Sequence, residues 1–189
     1  MPQYYIDKKE FKIITQSEIE PYIQTAKTLH QDAALCIALS WLTGCRIREL
    51  VNLRVSDILI DQDDKSVMFA VKALKHGKIG YPSFFFSDHY IESMRLPALA
   101  GRSPNDYVLM NRSTRRYQQV LFQCNAVLKG ADYSQWITFH QLRHSRTTYL
   151  ARVLKAFPEE LKSWFGHRAN TYEEYYAPRR VDRFRGRIE

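Results

Sequence analysis

Two histidines and an arginine, His140, Arg143 and His144, stand at i, i+3 and i+4 in the run His140-Gln141-Leu142-Arg143-His144. On a helix that spacing puts all three on one face, about one turn apart. Gly166-His167 follows, and Tyr176 comes nine residues after that histidine. Upstream, Arg46 and Glu49 lie one helical turn apart, just after Thr43-Gly44-Cys45. A cationic face that can also move protons, followed by a phenol, holds the parts needed for attack of a tyrosine on a phosphodiester. Cations must stabilise the charge that builds on a phosphorane-like transition state, and the planar fork of arginine suits this better than lysine. A base takes the phenolic proton, and an acid protonates the leaving alkoxide. Arg46 and Arg143 fit the first task. His140, His167 and a lysine fit the second.

Each signal has a plainer reading when taken alone. Thr43-Gly44-Cys45-Arg46 is then a helix–helix turn with Arg46 paired to Glu49 at the surface. His140 and His144 also match the spacing of a two-histidine zinc helix. No glutamate follows the first histidine, however, and Arg143 would repel a cation, so neither a metal nor another cofactor is expected. Tyr176 is one of twelve tyrosines, and a tyrosine picked at random packs. The order and spacing of the set carry more than any member.

The elements that must hold these residues follow from periodicity. Thr15 and Glu18 form a capping box that opens a helix with Ile19, Tyr22, Ile23 and Ala26 on its apolar face, and Pro21 is expected to delay or bend it. The apolar run 33–42 predicts a buried helix that Thr43-Gly44 ends. A second helix over about 46–53 would turn Ile47, Leu50 and Val51 to the core. From Ile58 the period becomes that of strands: Val67, Phe69 and Val71 alternate with their neighbours, and Asp61-Gln62-Asp63-Asp64 and His76-Gly77 mark turns. An apolar strand is expected over 79–86, at an edge because of Pro82. Helices are predicted at about 88–99, 115–128 and 139–154, with a loop at 101–106. Pro158 opens a further helix and Gly166 closes it. The expected fold class is α+β, mainly α, with a small antiparallel sheet or hairpin inserted. Residues 1–10 read as a short polar lead. The tail 177–189 sets Arg179, Arg180, Arg183, Arg185 and Arg187 against two acids.

Composition narrows the class of partner. At 189 residues the chain suits one domain with a core of its own. Its 28 Lys+Arg against 20 Asp+Glu give a net charge of +8, which favours a polyanion, and nucleic acid before membrane. The three cysteines, Cys36, Cys45 and Cys124, are an odd number and read as buried thiols of a reducing compartment. The N-terminus lacks a signal-peptide pattern, and no apolar run reaches membrane-spanning length. The expected location is the cytoplasm, at the nucleoid or within the host of a mobile element.

The same residues carry a resemblance. Thr43-Gly44-Cys45-Arg46-Ile47-Arg48-Glu49-Leu50, followed by Leu53-Arg54-Val55-Ser56-Asp57-Ile58, resembles the first arginine motif of the tyrosine recombinase (phage integrase) family. His140-Gln141-Leu142-Arg143-His144-Ser145 resembles its second motif, Phe165-Gly166-His167 its Leu-Gly-His segment, and Tyr176 stands where the nucleophile is expected. Ile14-Thr15-Gln16-Ser17-Glu18-Ile19 resembles the start of the family's catalytic domain, so the likeness runs from about residue 11 to 176.

The resemblance implies a helical catalytic domain that cleaves and rejoins double-stranded DNA at specific sites, with integration, excision or inversion as the outcome. Arg46 and Arg143 would bind the phosphate, and His140 and His167 would flank it. Glu49 would support the first arginine, and Tyr176 would form a 3′-phosphotyrosyl bond. The bond energy stays in that covalent intermediate, so neither ATP nor a metal is required. The family carries a catalytic lysine on a hairpin. Lys72, Lys75 and Lys78 are all placed there, and Lys75-His76-Gly77-Lys78 most resembles the family's Lys-x-Gly turn, which selects Lys75 with Lys78 second. Tyr175 competes with Tyr176, and spacing from His167 favours Tyr176. His144 is assigned a supporting place behind the site. Arg115 and Arg116, at the start of a helix that would enter the major groove, and Arg179 and Arg180 of the tail are the expected DNA contacts.

Family members also imply a tetramer on DNA and a C-terminal segment exchanged between protomers, which 181–189 would supply. Only about ten residues precede the catalytic-domain start, so the chain is expected to resemble short members without the N-terminal DNA-clamping domain, an accessory DNA-binding protein or the Arg-rich tail making up the lost affinity. Phe165 replaces the usual leucine. The alternatives are a type IB topoisomerase-like relaxing enzyme and a DNA-binding accessory or regulator with weak catalysis.

Overall fold

The computed structural model describes residues 13–61, 66–74, 77–85 and 101–166. Lys75, His167, Tyr175, Tyr176, the tail arginines and the helix expected over 88–99 lie outside the described residues.

Three helices open the chain: α1 (Gln16–Leu29), α2 (Gln31–Thr43) and the short α3 (Ile47–Leu50). Glu18 reaches back to the Thr15 N–H at 2.9 Å and so caps α1. Pro21 lies in the body of α1 without ending it. The ring forfeits only the N–H that would have reached Ser17, and the buried face of Ile19, Tyr22, Ile23 and Ala26 outweighs that loss. α2 is buried nearly all round and packs against α1 and against two later helices, α4 (Thr114–Lys129) and α5 (Phe139–Thr148). That is how an apolar helix without a polar face must sit.

α3 is shorter than the helix expected over 46–53. The Leu53 carbonyl accepts from the Val108 N–H at 2.8 Å and Arg54 bridges to Tyr107, so the chain leaves the helix to meet a distant loop. The Asn52 amide stops the helix as well, donating to the Arg48 carbonyl at 2.7 Å.

The strands form two small antiparallel sheets. β1 (Ile58–Asp61), β2 (Ser66–Phe69) and β5 (Ser83–Phe85) run in the order β1-β2-β5, and β3 (Val71–Lys72) pairs with β4 (Ile79–Gly80). The strand expected over 79–86 is therefore broken at Tyr81-Pro82. The Pro82 carbonyl accepts from Phe69 N–H at 2.9 Å, while the Tyr81 N–H turns away to the Ser163 carbonyl at 2.8 Å. β5 does take the edge position that Pro82 favours.

α5 continues as a π-helical turn, Tyr149–Val153, before α6 (Pro158–Phe165). Pro158 sits in the first turn of α6, and Gly166 ends it at φ +62°. Leu150, Ala151, Leu161 and Phe165 form a second, small core between these elements. Asn125 of α4 fixes where α5 begins. Its side chain accepts from Tyr22 Oη at 2.9 Å and from the Ile137 N–H at 2.7 Å, and donates to the Ile137 carbonyl at 2.8 Å. Thr138 then caps α5, its hydroxyl accepting from Gln141 N–H at 3.2 Å.

Candidate active site

The tight turn between α2 and α3 builds the first half of the site. Gly44 ends α2 at φ +65°, the left-handed region where a side chain would be strained. The Thr43 hydroxyl donates to Leu39 O at 2.6 Å and accepts from Cys45 N–H at 3.1 Å, which fixes the turn. Arg46 follows at the N-terminal end of α3. Glu49, with only 2% of its side chain exposed, accepts from the Arg46 backbone N–H at 2.7 Å and from Arg46 Nη1 at 3.1 Å.

Arg143 enters from α5. Its Nη1 donates to the Gly44 carbonyl at 2.8 Å and lies 3.8 Å from Glu49 Oε2. Two guanidinium groups thus converge on one buried carboxylate, 99 positions apart in the case of Arg143 and Gly44. One carboxylate against two fixed cations leaves a net positive charge. Of the two, Arg46 is the more exposed, at 42% against 9% for Arg143. Cys45 lies beside this cluster, and burial pushes its thiol up to about 12, so it stays protonated and non-nucleophilic.

The last turn of α6 seals the second half. Trp164 Nε1 donates to the Thr43 carbonyl at 2.7 Å, and the Phe165 ring centroid lies 4.8 Å from the Arg143 guanidinium carbon. The β3–β4 hairpin docks on the same turn. A Cβ on Gly80 would fall 2.5 Å from the Trp164 carbonyl oxygen, so only glycine permits the approach. The hairpin is closed by Ala73 N–H to Lys78 O at 2.7 Å and Gly77 N–H to Ala73 O at 2.9 Å. Lys72 and Lys78 are exposed on it.

The histidines of α5 pair with each other. Nε2 of His140 and Nε2 of His144 are 2.6 Å apart, with the rings edge to face. One proton must lie between them, so one ring donates and the other accepts. His144 has its pKa lowered by burial, then by His140 and Arg143. It contacts His140, as the four-residue spacing on one helix allows.

Arg115 and Arg116 are exposed at the start of α4, while their neighbour Tyr117 is buried and bonds to Asp32 and the Asn111 carbonyl. Among the residues the sequence did not single out for the site are Trp164 and Gly80, both defined by contacts across the chain. Among the described residues no three His, Cys, Asp or Glu side chains gather as a metal site, and no helix is long and apolar enough to cross a membrane.

A mainly helical domain with a docked hairpin and paired arginines defines the class. The chain matches the phage integrase family over residues 12–180 and belongs to it. Its fold is similar to that of XerH site-specific recombinase bound to difH substrate, with a TM-score of 0.64 at 16% identity, covering 97% of this chain and 56% of that one. It is similar as well to XerA recombinase, with a TM-score of 0.62 at 20% identity over 94% of this chain and 66% of that one. The Tn1549 transposon integrase in complex with transposon right end DNA gives 0.64 at 17% identity, over 95% and 66%. The chain spans 56–66% of the length of these three relatives. No curated protein sequence matches it.

Proposed function

We propose that this chain is the catalytic domain of a site-specific tyrosine recombinase, which cleaves and rejoins double-stranded DNA through a phosphotyrosyl bond to Tyr176. The observation that carries the reading is the convergence of Arg46 and Arg143 on the buried Glu49. A structural ion pair needs one arginine, whereas a second one held 3.8 Å from the same carboxylate has charge to spare for a phosphate. Tyr176 Oη attacks phosphorus, the bond to the 5′ oxygen breaks, and that oxygen leaves with a proton. Lys75 on the hairpin is the assigned proton donor, with Lys78 next in line. His140 and His167 hydrogen-bond the non-bridging oxygens or shuttle protons. Rejoining is the reverse attack by a 5′-hydroxyl.

Phosphate contacts dominate binding, so affinity falls steeply with salt. Arg115 and Arg116 supply DNA contacts from α4, and Arg179 and Arg180 supply them from the tail. Assembly as a tetramer on two duplexes, assisted by an accessory DNA-binding protein, completes the reading.

The test is a covalent protein–DNA adduct on supercoiled plasmid and on nicked duplex, resolved on a denaturing gel, for the wild type, Tyr176→Phe and Tyr175→Phe. An adduct lost only in Tyr176→Phe supports the assignment. Loss only in Tyr175→Phe moves the nucleophile by one residue. DNA binding without any adduct turns the reading to an accessory or regulator, and relaxation without strand exchange turns it to a topoisomerase-like enzyme.

A further inference from the structure

The Phe165 ring does more than fill the small core. It is buried, with its centroid 4.8 Å from the guanidinium carbon of Arg143. Its Cε1 edge reaches so close to the α2–α3 turn that a Cβ on Gly44 would fall 2.9 Å from it. The Gly44 carbonyl in turn holds Arg143 Nη1 at 2.8 Å. Arg143 thus donates to the Gly44 carbonyl, lies at ion-pair distance from Glu49, and has its guanidinium carbon over the Phe165 ring. In-plane hydrogen bonds leave a guanidinium free to rock about their axis, and a ring on its face stops that rocking.

We propose that Phe165 is a positioning residue that fixes the plane of the Arg143 guanidinium for phosphate binding. It ties that plane to the last turn of α6. The same turn holds α2 through Trp164 Nε1 and the Thr43 carbonyl at 2.7 Å, and holds the β3–β4 hairpin through Tyr81 N–H and the Ser163 carbonyl at 2.8 Å. One helical turn therefore sets the arginine, the turn that carries Arg46, and the hairpin that carries the lysines in register. A leucine, usual at this place in the family this chain resembles, would fill the core without presenting a ring face. The ring contact is a property of this chain's own sequence.

The proposal rests on the recombinase reading for its catalytic consequence but not for its geometry, so the experiment has two arms. In the protein alone, the side-chain 15N–1H resonances of Arg143, assigned through Arg143→Lys, are compared between wild type, Phe165→Leu and Phe165→Met. Loss of the ring is expected to shift them and to speed their hydrogen exchange about tenfold, between the exposed and desolvated limits of a cation–π contact. Unchanged resonances and exchange in both variants would overturn the proposal. In single-turnover cleavage, both variants are expected to be about tenfold slower with little change in DNA affinity. That deficit should vanish on a duplex with a neutral methylphosphonate at the cleaved position, because Arg143 then has no anion to align against. Full recovery by Phe165→Met, which restores volume without a ring, would show packing alone and sink the idea. A wild type that makes no adduct at all defeats the recombinase reading, and the resonance arm then decides this one.

Discussion

Two clusters of arginine stand on either side of α3, and they differ in what their cations face. At its start, Arg46 and Arg143 share the single carboxylate of Glu49. Beyond its end, Arg54 donates to the Asn105 carbonyl at 2.8 Å and to Tyr107 Oη at 3.1 Å, and Arg112 donates to Asn52 Oδ1 at 2.7 Å. Both of these arginines also lie over the Tyr107 ring, at 4.7 and 4.3 Å. The second cluster spends its donors on neutral carbonyls and a ring that hold the 102–112 loop against the chain leaving α3. The first aims two charges at one carboxylate on a rigid turn. Sequence alone shows arginines in both places; the buried carboxylate that both arginines of the first cluster meet distinguishes it from the brace.

Truncation should separate them most sharply. Arg143→Ala is expected to lower single-turnover cleavage by about 100-fold or more, the scale set by removing one preorganised transition-state donor. Arg54→Ala should leave cleavage within about threefold and instead lower unfolding free energy by about 1–2 kcal/mol, through its lost hydrogen bonds and ring contact. Urea denaturation and an adduct time course on both variants check this. Equal losses of cleavage would erase the distinction between the clusters.

Glu49 sharpens the comparison from the other side. Glu49→Gln keeps the shape but strands two like charges, one of them on the buried Arg143. The expected cost is about 3 kcal/mol in urea denaturation, as for a buried ion pair that loses one partner. A neutral result would mean that the placement of Arg143 does not depend on the Glu49 charge.

Gly44→Ala tests the turn beneath both arginines. It places a Cβ at φ +65° and 2.9 Å from Phe165 Cε1. Destabilisation of about 1–3 kcal/mol is expected from the backbone conformation alone. The mutation at Gly77, also at positive φ but with nothing near its Cβ, should cost less. Thermal melts of the two alanine variants rank them.

What the sequence disclosed and what it hid divides along the range of the interactions. α1, α2, α4 and α6 were legible because their caps and apolar periods are local: Thr15 with Glu18, Gly44, Pro158 and Gly166. The Arg46–Glu49 contact was legible as well, since the two lie one turn apart, whereas the approach of Arg143 to the same carboxylate was not. The length of α3, the break at Tyr81-Pro82 and the π-helical turn after α5 were not. Each is decided by a distant partner: Val108 for α3, Ser163 for Tyr81, and the small core around Leu161 for the segment after Thr148. Gly80 looked like any strand glycine, and only its approach to the Trp164 carbonyl shows why a side chain cannot stand there.

The smallest expected effect concerns the histidines, where the charge relation of the arginine cluster is reversed. Arg46 and Arg143 share an anion, whereas His140 and His144 share a proton and sit beside Arg143, a cation. Protonating His144 would place a charge in a partly buried site next to His140 and Arg143, which is why its folded pKa lies below the ordinary imidazole value. The unfolded chain therefore binds more protons than the folded one as the solution is acidified. Stability tied to this group is fully present above the unfolded value of about 6.5 and is lost as pH falls from there through the folded value. Melting temperatures of wild type should fall more between about pH 7.5 and pH 5 than those of His144→Gln, which has nothing to titrate there. Parallel curves would mean that the pair carries its extra proton without penalty, and that His144 is no more than a neighbour of His140.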